Sequence, residues 1–508
     1  MIGGQADDEP ALRVDNPRLV VFGAMLASLL QVLDTTVANV AIPHMQSALG
    51  ATPESVTWVL TSYIIAAAVA TPLTGWLADR IGRRELFVLS VATFIMASVL
   101  CGMAQNLEQM VFFRILQGIF GAFMAPLSQS VMLDVTRPSK HSLVMSIWST
   151  GIMIGPIMGP LIGGWLTENW NWRFVFYVNL PVGLISLVIL LTQLPSLPRI
   201  IRKFDLFGFA WLSIALASLQ LLLDRGNHVD WFEAGEIWIY AGLVFMGTWI
   251  TAIHFRQTKT PLLNLSLFKD RNFVVATSFM IALGAILFST LALIPPLMQN
   301  LYGYTVMGTG LVLAPRGFGS IVSTLIGGMM MRRGVDLRIS MGMGLLINAW
   351  SLNQMAHWPL DVESQTIVAT SFVQGFGFGL VFIPINVLAF ATLPAADRTE
   401  ASSIMNLFRG VGSSIGISVV TVLLARNMQI SHADLASSVT GESGGAMLDA
   451  SSMDRFQSLG EAATTMVNGE VTRQAAMIAY NSDFYAMMWM ALLSLTLLLF
   501  LRTPKPQR

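Results

Sequence analysis

Apolar runs broken by short clusters of Gly, Pro and charge recur along the whole chain. Each has about the 20 residues that a helix rising about 1.5 Å per residue needs to cross a hydrocarbon core. Within that core every backbone N–H and C=O must be satisfied inside its own segment, so the spans are predicted to be helical. They fall at 19–42, 56–76, 86–104, 107–132, 142–166 and 174–193, then 204–224 and 236–255, then 273–300, 306–331, 337–357, 363–391, 399–426 and 484–501. The pattern predicts an all-α membrane protein of fourteen spans. Its parts are a tail over 1–18, a six-helix bundle over 19–203, two inserted helices over 204–258, and a second six-helix bundle over 259–508 with a long polar loop at 427–483. In that loop Met453, Phe456, Leu459 and Ala463 recur at roughly helical spacing, which fits either a passive loop or a docking surface.

Composition agrees with a bilayer as the main solvent. Of 508 residues, 54% are hydrophobic and 11% charged, against roughly 25% charged in soluble domains. Lys plus Arg and Asp plus Glu number 29 each, so net charge offers no argument for nucleic acid and none is expected as a partner. The distribution of charge is informative. Arg80, Arg83, Arg84, Arg137, Lys140, Arg199, Arg202 and Lys203 lie at one end of the spans, with Arg256, Lys259, Lys269, Arg271, Arg332, Arg333, Arg338, Arg398 and the Arg502–Arg508 tail. The opposite short loops hold only Arg173 and Arg225. The basic end, with both termini, is therefore predicted to be cytoplasmic. The stretch up to Pro17 carries Asp7, Asp8 and Glu9 and no apolar core, which excludes a secretory signal. A single cysteine, Cys101, excludes a disulfide framework, and the six histidines are scattered. No metal-ligand, nucleophile or phosphate-cradling pattern appears, so no enzyme, metal or cofactor is expected.

Two six-helix blocks around a helix pair suggest an internal duplication. Gly75-Trp-Leu-Ala-Asp79-Arg80-Ile-Gly82-Arg83-Arg84 follows the second span of one block, and Gly327-Gly-Met-Met-Met-Arg-Arg-Gly-Val-Asp-Leu-Arg338 the second of the other. Arg114-Ile-Leu-Gln117-Gly118 matches Ser371-Phe-Val-Gln374-Gly375. Paired halves around a midplane site are the architecture of many secondary transporters.

Asp34 is the only acidic residue within the first span, and an ionisable group there is a functional candidate because burying its charge costs several kcal/mol. Counting helical rise places Asp34 about 12 Å, and Arg114 about 10 Å, inside the non-basic ends of their helices. At matching depth the two are expected to handle a coupling proton. Arg114 would hold the ionised carboxylate in one state and be released on protonation, while a static ion pair fits the same residues. Ile286 and Ser371 stand at the equivalent second-half positions, so proton handling is expected in one half only. Arg316 and Arg409, each about 15 Å deep in second-half spans, fit substrate or gate contacts, or pairing with carbonyls. With Asn39, Gln117, Gln299, Asn386 and Asn406 they make up the candidate substrate cavity, interhelical hydrogen bonding being the plainer alternative. Gly151, Gly155, Gly159 and Gly163 share one helix face, which Pro156 and Pro160 can bend. These residues, with Gly75, Asp79, Arg80, Gly82 and Arg83, form a candidate conformational gate. Close packing and topology-setting charge are the simpler readings. Asp224 and Arg225, at the end of the seventh span, are either a coupling site or a helix terminus.

Several of these segments resemble the major facilitator superfamily, in particular its fourteen-helix drug:proton antiporters. Gly75 to Arg84 resembles the family's loop between helices 2 and 3, and Arg114, Gln117 and Gly118 resemble its helix 4 motif. Gly151 to Gly164 is similar to the helix 5 motif of antiporters, and Leu33-Asp34-Thr-Thr-Val-Ala-Asn39-Val-Ala-Ile-Pro43 to the helix 1 signature of the fourteen-helix group. Trp172-Arg173-Phe174 with Asn179-Leu180-Pro181 is similar to that group's helix 5 to 6 segment, and Leu223 to Gly226 followed by Asp230-Trp231-Phe232 resembles the segment after the first inserted helix in its multidrug-pump subunits. The resemblance implies a major facilitator fold and export by alternating access, driven by the proton gradient without a cofactor. It also implies a bacterial inner membrane, lipophilic substrates such as drugs, uncouplers, detergents or fatty acids, a periplasmic adaptor (membrane fusion protein) and an outer-membrane channel. The 30 Met and 10% aromatic residues would supply soft apolar surface for such substrates. A proton-coupled symporter, or an exporter of one metabolite or fatty acid, is the alternative.

Overall fold

The computed structural model describes residues 8–196, 199–226, 229–438 and 461–501. Fourteen helices follow one another: α1 Pro17–Ala48, α2 Trp58–Ile81, α3 Arg83–Met103, α4 Leu107–Asp134, α5 His141–Asn169, α6 Phe174–Gln193, α7 Leu206–Arg225 and α8 Gly235–Gln257. The remainder are α9 Arg271–Leu301, α10 Val306–Arg332, α11 Leu337–Met355, α12 Ser364–Ala391, α13 Arg398–Ser438 and α14 Glu461–Ser494. Thirteen of them are long and apolar enough to cross a bilayer by length and composition. The helix starts are written in the sequence. Asp205, Asp270 and Asp336 each accept a backbone N–H of the first turn of α7, α9 and α11, which is worth about 1 kcal/mol per cap. In α2 the rod passes through a tight turn at Thr71–Leu73 around Pro72, where the ring removes a ladder hydrogen bond.

The packing plan repeats. In the first half α1 lies on α5 and α6, α4 lies between α2 and α3, and α3 touches α6; in the second, α9 lies on α13 and α14, α12 lies between α10 and α11, and α11 touches α14. The halves meet along two seams, α2 and α4 with α13, and α5 with α10 and α12. The inserted pair packs on itself, and α7 also touches α2 and α13. Direct contact between α2 and α13 is concentrated at the basic end, from Thr71 onward; toward the opposite end α7 stands between them. There Thr61 Oγ1 donates to Asp224 (2.7 Å), while Ser414 Oγ donates to Gln220 (2.7 Å) and Ser418 Oγ to the Leu223 carbonyl (3.0 Å).

Both described ends of the expected loop at 427–483 are helical. α13 continues through Ser438 and α14 begins at Glu461, giving helices of 41 and 34 residues. At about 1.5 Å per residue the longer exceeds a core of about 30 Å. The projecting turns carry polar sequence, and His432 of one lies 3.0 Å from Asn468 of the other. The Met453, Phe456 and Leu459 pattern falls outside the described residues.

Candidate functional site

Asp34 sits near the middle of α1 with 1% of its surface exposed, and the cationic and amide groups around it are fully buried. Three donors from two other helices converge on its carboxylate. Arg114 Nη1 reaches one oxygen at 2.7 Å; Gln117 Nε2 at 2.8 Å and Asn179 Nδ2 at 2.6 Å reach the other. Arg114 and Gln117 are three apart on α4 and share a face, and the same Arg114 nitrogen also donates to Gln117 Oε1 at 2.7 Å. Arg114 Nε donates to the Val59 carbonyl (3.0 Å) and the guanidinium lies against the Tyr63 ring, 4.3 Å from its central carbon, while Nη2 has no hydrogen bond among the described residues. Asn179 is oriented by Ser98 Oγ at 3.0 Å. The cluster requires α2 to approach α4 closely, which Gly118 allows: a Cβ there would lie 2.5 Å from the Tyr63 carbonyl oxygen. An ion pair this deep is costly to desolvate, and removing one partner strands the other. Chemically it is a carboxylate whose donor set matches the ionised form.

A second network closes the basic end. Gly82, at φ +104°, turns α2 into α3 and presents Arg83 as the first residue of α3. Asp134, closing α4, holds Arg83 at 2.7 Å on one oxygen and Arg398, first residue of α13, at 2.8 Å on the other. Arg83 also donates to the Ala396 carbonyl at 3.0 Å. One carboxylate therefore grips a cation from each half. Asp79 pairs with Arg202, which lies 3.6 Å from Glu400. Gly75 lets α13 approach, since its Cβ would lie 3.0 Å from that of Glu400. Beneath this layer Gln129 donates to Asn386 (2.5 Å), Ser130 meets Thr399 (2.8 Å) and Ser403 donates to the Thr71 carbonyl (2.5 Å), all across the seam. Arg80 lies over Trp76 of its own helix, 6.0 Å from its centroid, and has no ion pair among the described residues.

The glycine face of α5 meets a different partner from the one a gate between halves requires. A Cβ at Gly151, Gly155, Gly159 or Gly163 would strike Met25, Val32, Thr36 or Val37 of α1, in the same half. Thr36 Oγ1 also donates to the Gly155 carbonyl at 3.2 Å. The other flank of α5 touches the second half, with Leu161 against Gly310, Gly164 against Val306 and Trp148 stacked on Phe382 at 6.1 Å. Pro156 faces that seam and Pro160 is half-buried.

The remaining predicted residues are dispersed. Arg316 is buried beside a narrow cavity at the seam lined by Pro156, Leu287, Leu291 and Phe378, whose ring lies 5.4 Å from the guanidinium. Arg316 has no acidic partner among the described residues, and Nη2 has no hydrogen bond. Arg409 is half-buried. Asn386 belongs to the seam network, and Asn406 donates to the Ser402 carbonyl of its own helix at 2.8 Å. Gln299 lies in a π-helical turn at the far end of α9, and Asn39 is exposed. Asn386 and Asn406 meet in the seam network through Gln129 and Ser402, of which Gln299 and Asn39 are not part. Asp224 and Arg225 do not pair with each other, because Asp224 takes Thr61 and Arg225 takes Glu236 at 3.1 Å.

Four important groups escaped sequence reasoning. Asn179, Asp134 and Arg398 read as a motif flank and as helix ends. Asp483 fell in the expected loop, yet it is fully buried in α14 with neither carboxylate oxygen hydrogen-bonded among the described residues.

Residues 24–417 match the family described as Major Facilitator Superfamily. The chain is 35% identical over 495 residues to the "Fatty acid resistance protein FarB" of Neisseria gonorrhoeae, covering 94% of this chain and 95% of that one. It is 32% identical over 489 residues to the "Multidrug export protein EmrB" of Escherichia coli strain K12, covering 96% and 95%. Among solved structures, the human organic anion transporter MFSD10 superposes with a TM-score of 0.60 at 13% identity, covering 95% of this chain and 99% of that one. The proton:xylose symporter XylE does so at 0.59 and 14%, covering 94% of each. At such identities these two likenesses speak for the fold alone.

Proposed function

Because the chain belongs to the major facilitator superfamily and is a multi-pass membrane transporter rather than an enzyme, we propose that it is a proton-driven exporter of lipophilic compounds in a bacterial inner membrane. The basic end and both termini face the cytoplasm. The observation that carries this reading is the buried Asp34 carboxylate with its three donors. Ionised, Asp34 can accept all three bonds. A proton taken from outside removes the charge that Arg114 neutralises and one of the acceptor sites, so the grip of α1 on α4 and α6 loosens. Because α1 is seated on the glycine face of α5, and α5 touches α10 and α12 on its other flank, that loosening reaches the seam. The Asp134 latch holds the cytoplasmic end shut, as in the state that releases cargo outward. Return of the proton to the cytoplasm after the latch opens would complete the exchange.

Anionic amphiphiles are the favoured substrates within this class. Arg316 offers a cation without an acidic partner, beside apolar walls at the seam, and one close relative bears a fatty acid resistance name. The projecting turns of α13 and α14 fit contact with a periplasmic adaptor leading to an outer-membrane channel. Deleting 432–468, which removes the turns paired through His432 and Asn468, should abolish co-purification with that adaptor, and unchanged co-purification would sink the assignment. The central experiment is export in proteoliposomes under an imposed pH gradient. Asp34→Asn is expected to lower proton-driven export at least a hundredfold while substrate binding in detergent persists. Undiminished export would overturn the reading.

A further inference from the structure

The N-terminal segment arches over the turn between α4 and α5. The Asp8 carboxylate accepts from the backbone N–H (2.9 Å) and Oγ (2.8 Å) of Ser139, bonds that hold its pKa below the usual carboxylate value. The Leu12 N–H donates to the Asp134 carbonyl at 2.8 Å. Beneath the arch lies a cavity of about 920 Å³ between the start of α1 and the start of α5.

Its lining is divided by chemistry. The rim carries Arg13, Arg18, Arg137 and Lys140, and the floor Phe22, Met25, Leu143 and Ile147. Arg13 is spent on Glu9 at 2.5 Å, whereas Arg18, Arg137 and Lys140 carry no ion pair among the described residues. The floor is open to the hydrocarbon side, with Phe22 48%, Leu143 40% and Ile147 38% exposed. Cations at the depth of headgroups above an apolar groove are complementary to an amphiphile with an anionic head. The Asp8 carboxylate on Ser139 feels the charge of Arg137 and offsets part of it, yet three cations against that one carboxylate leave the rim net positive, and the volume exceeds that of a headgroup alone.

We propose that this cavity binds an anionic phospholipid of the cytoplasmic leaflet. Its phosphate sits among Arg18, Arg137 and Lys140, and one acyl chain lies along the groove between α1 and α5. The inference rests on the orientation assigned above and is independent of proton coupling. The bound lipid abuts the latch, because the arch is tied to the backbone of Asp134, whose side chain holds both halves.

The test uses the full chain in phosphatidylcholine nanodiscs with fluorescent phosphatidylglycerol as probe. The Arg137→Gln/Lys140→Gln variant is expected to bind the probe about tenfold or more weakly, and Arg137→Lys/Lys140→Arg to recover binding within about twofold. Unlabelled phosphatidylglycerol should displace the probe where an equal concentration of oleate does not. Unchanged affinity in the glutamine variant would overturn the proposal. So would equal loss in the charge-conserving variant, or displacement by oleate as effective as by phosphatidylglycerol, which would make the cavity a monocarboxylate site. Probe binding that survives in Asp34→Asn supports the lipid site even if export fails, so this test and that of the transport reading can fail separately.

Discussion

The two halves share a packing plan and bury opposite things at its centre. In the first, Arg114, Gln117 and Asn179 all bond Asp34, with Arg114 Nη2 and Asn179 Oδ1 left without a hydrogen bond among the described residues. At the equivalent places in the second stand Ile286, Ser371 and Gln374; all three are buried, and among the described residues neither the Ser371 hydroxyl nor either polar atom of the Gln374 side chain has a hydrogen-bond partner. The basic ends differ in the same way. Arg83 finds Asp134, whereas Arg338, after the matching loop, donates to the Leu501 carbonyl and has no ion pair among the described residues. The shared plan thus carries an ion-paired cluster in the first half, whereas the buried Arg316 and Asp483 of the second stand without an ion pair among the described residues. Such isolated buried charges are costly, so the two halves put very different demands on the same helix contacts.

That contrast can be broken most strongly at Arg114. Arg114→Ala is expected to cost about 3–5 kcal/mol by stranding Asp34, against under about 0.5 kcal/mol for Ser371→Ala, which removes an already unpartnered hydroxyl; thermal unfolding in detergent reads both. A comparable loss at the two sites would show that the first-half cluster is not special. Next in size, Asp134→Asn should release Arg83 and Arg398 together and cost the closed state about 2–3 kcal/mol. Spin-label distances across the seam at the basic end should lengthen, whereas Arg338→Gln should leave them unchanged. Within helices, Gly159→Ala is expected to cost about 1–3 kcal/mol because its Cβ meets Thr36. Gly410→Ala, with nothing within 4 Å, should stabilise α13 by about 0.5–1 kcal/mol. The smallest effect concerns His141, at the basic end of α5. Burial, with the charge of Arg398, lowers its pKa below the ordinary value, so the unfolded chain takes up the proton first as pH falls. Stability should then drop as pH decreases through about 6.5 and below, and drop less in His141→Gln.

Much of the architecture could be read from the chain, because a bilayer imposes both the length and the polarity of each span. The depth of Asp34 against Arg114 was legible for the same reason: helical rise is constant, so position in sequence becomes height. Lateral relations were not legible. Spacing shows that Gly151, Gly155, Gly159 and Gly163 share a face, yet nothing in it chooses α1 over the second half as the surface they meet. Asp134 and Arg398 end and begin helices, where charge is ordinary, and only the fold brings them across a seam. Asp483 was hidden because the polar turns of α14 interrupt the hydropathy signal that reveals a span.

The inserted α7 constrains how the molecule can move. Among the described residues it is bonded to α2 through Thr61–Asp224 and to α13 through Gln220 and Leu223, and its packing against α2 is the more extensive. When the halves separate along this seam, the smaller contact, with α13, is the one to yield. The insertion then travels as an outrigger of the first half, and Gln220, freed from Ser414, becomes an amide facing the widening slit.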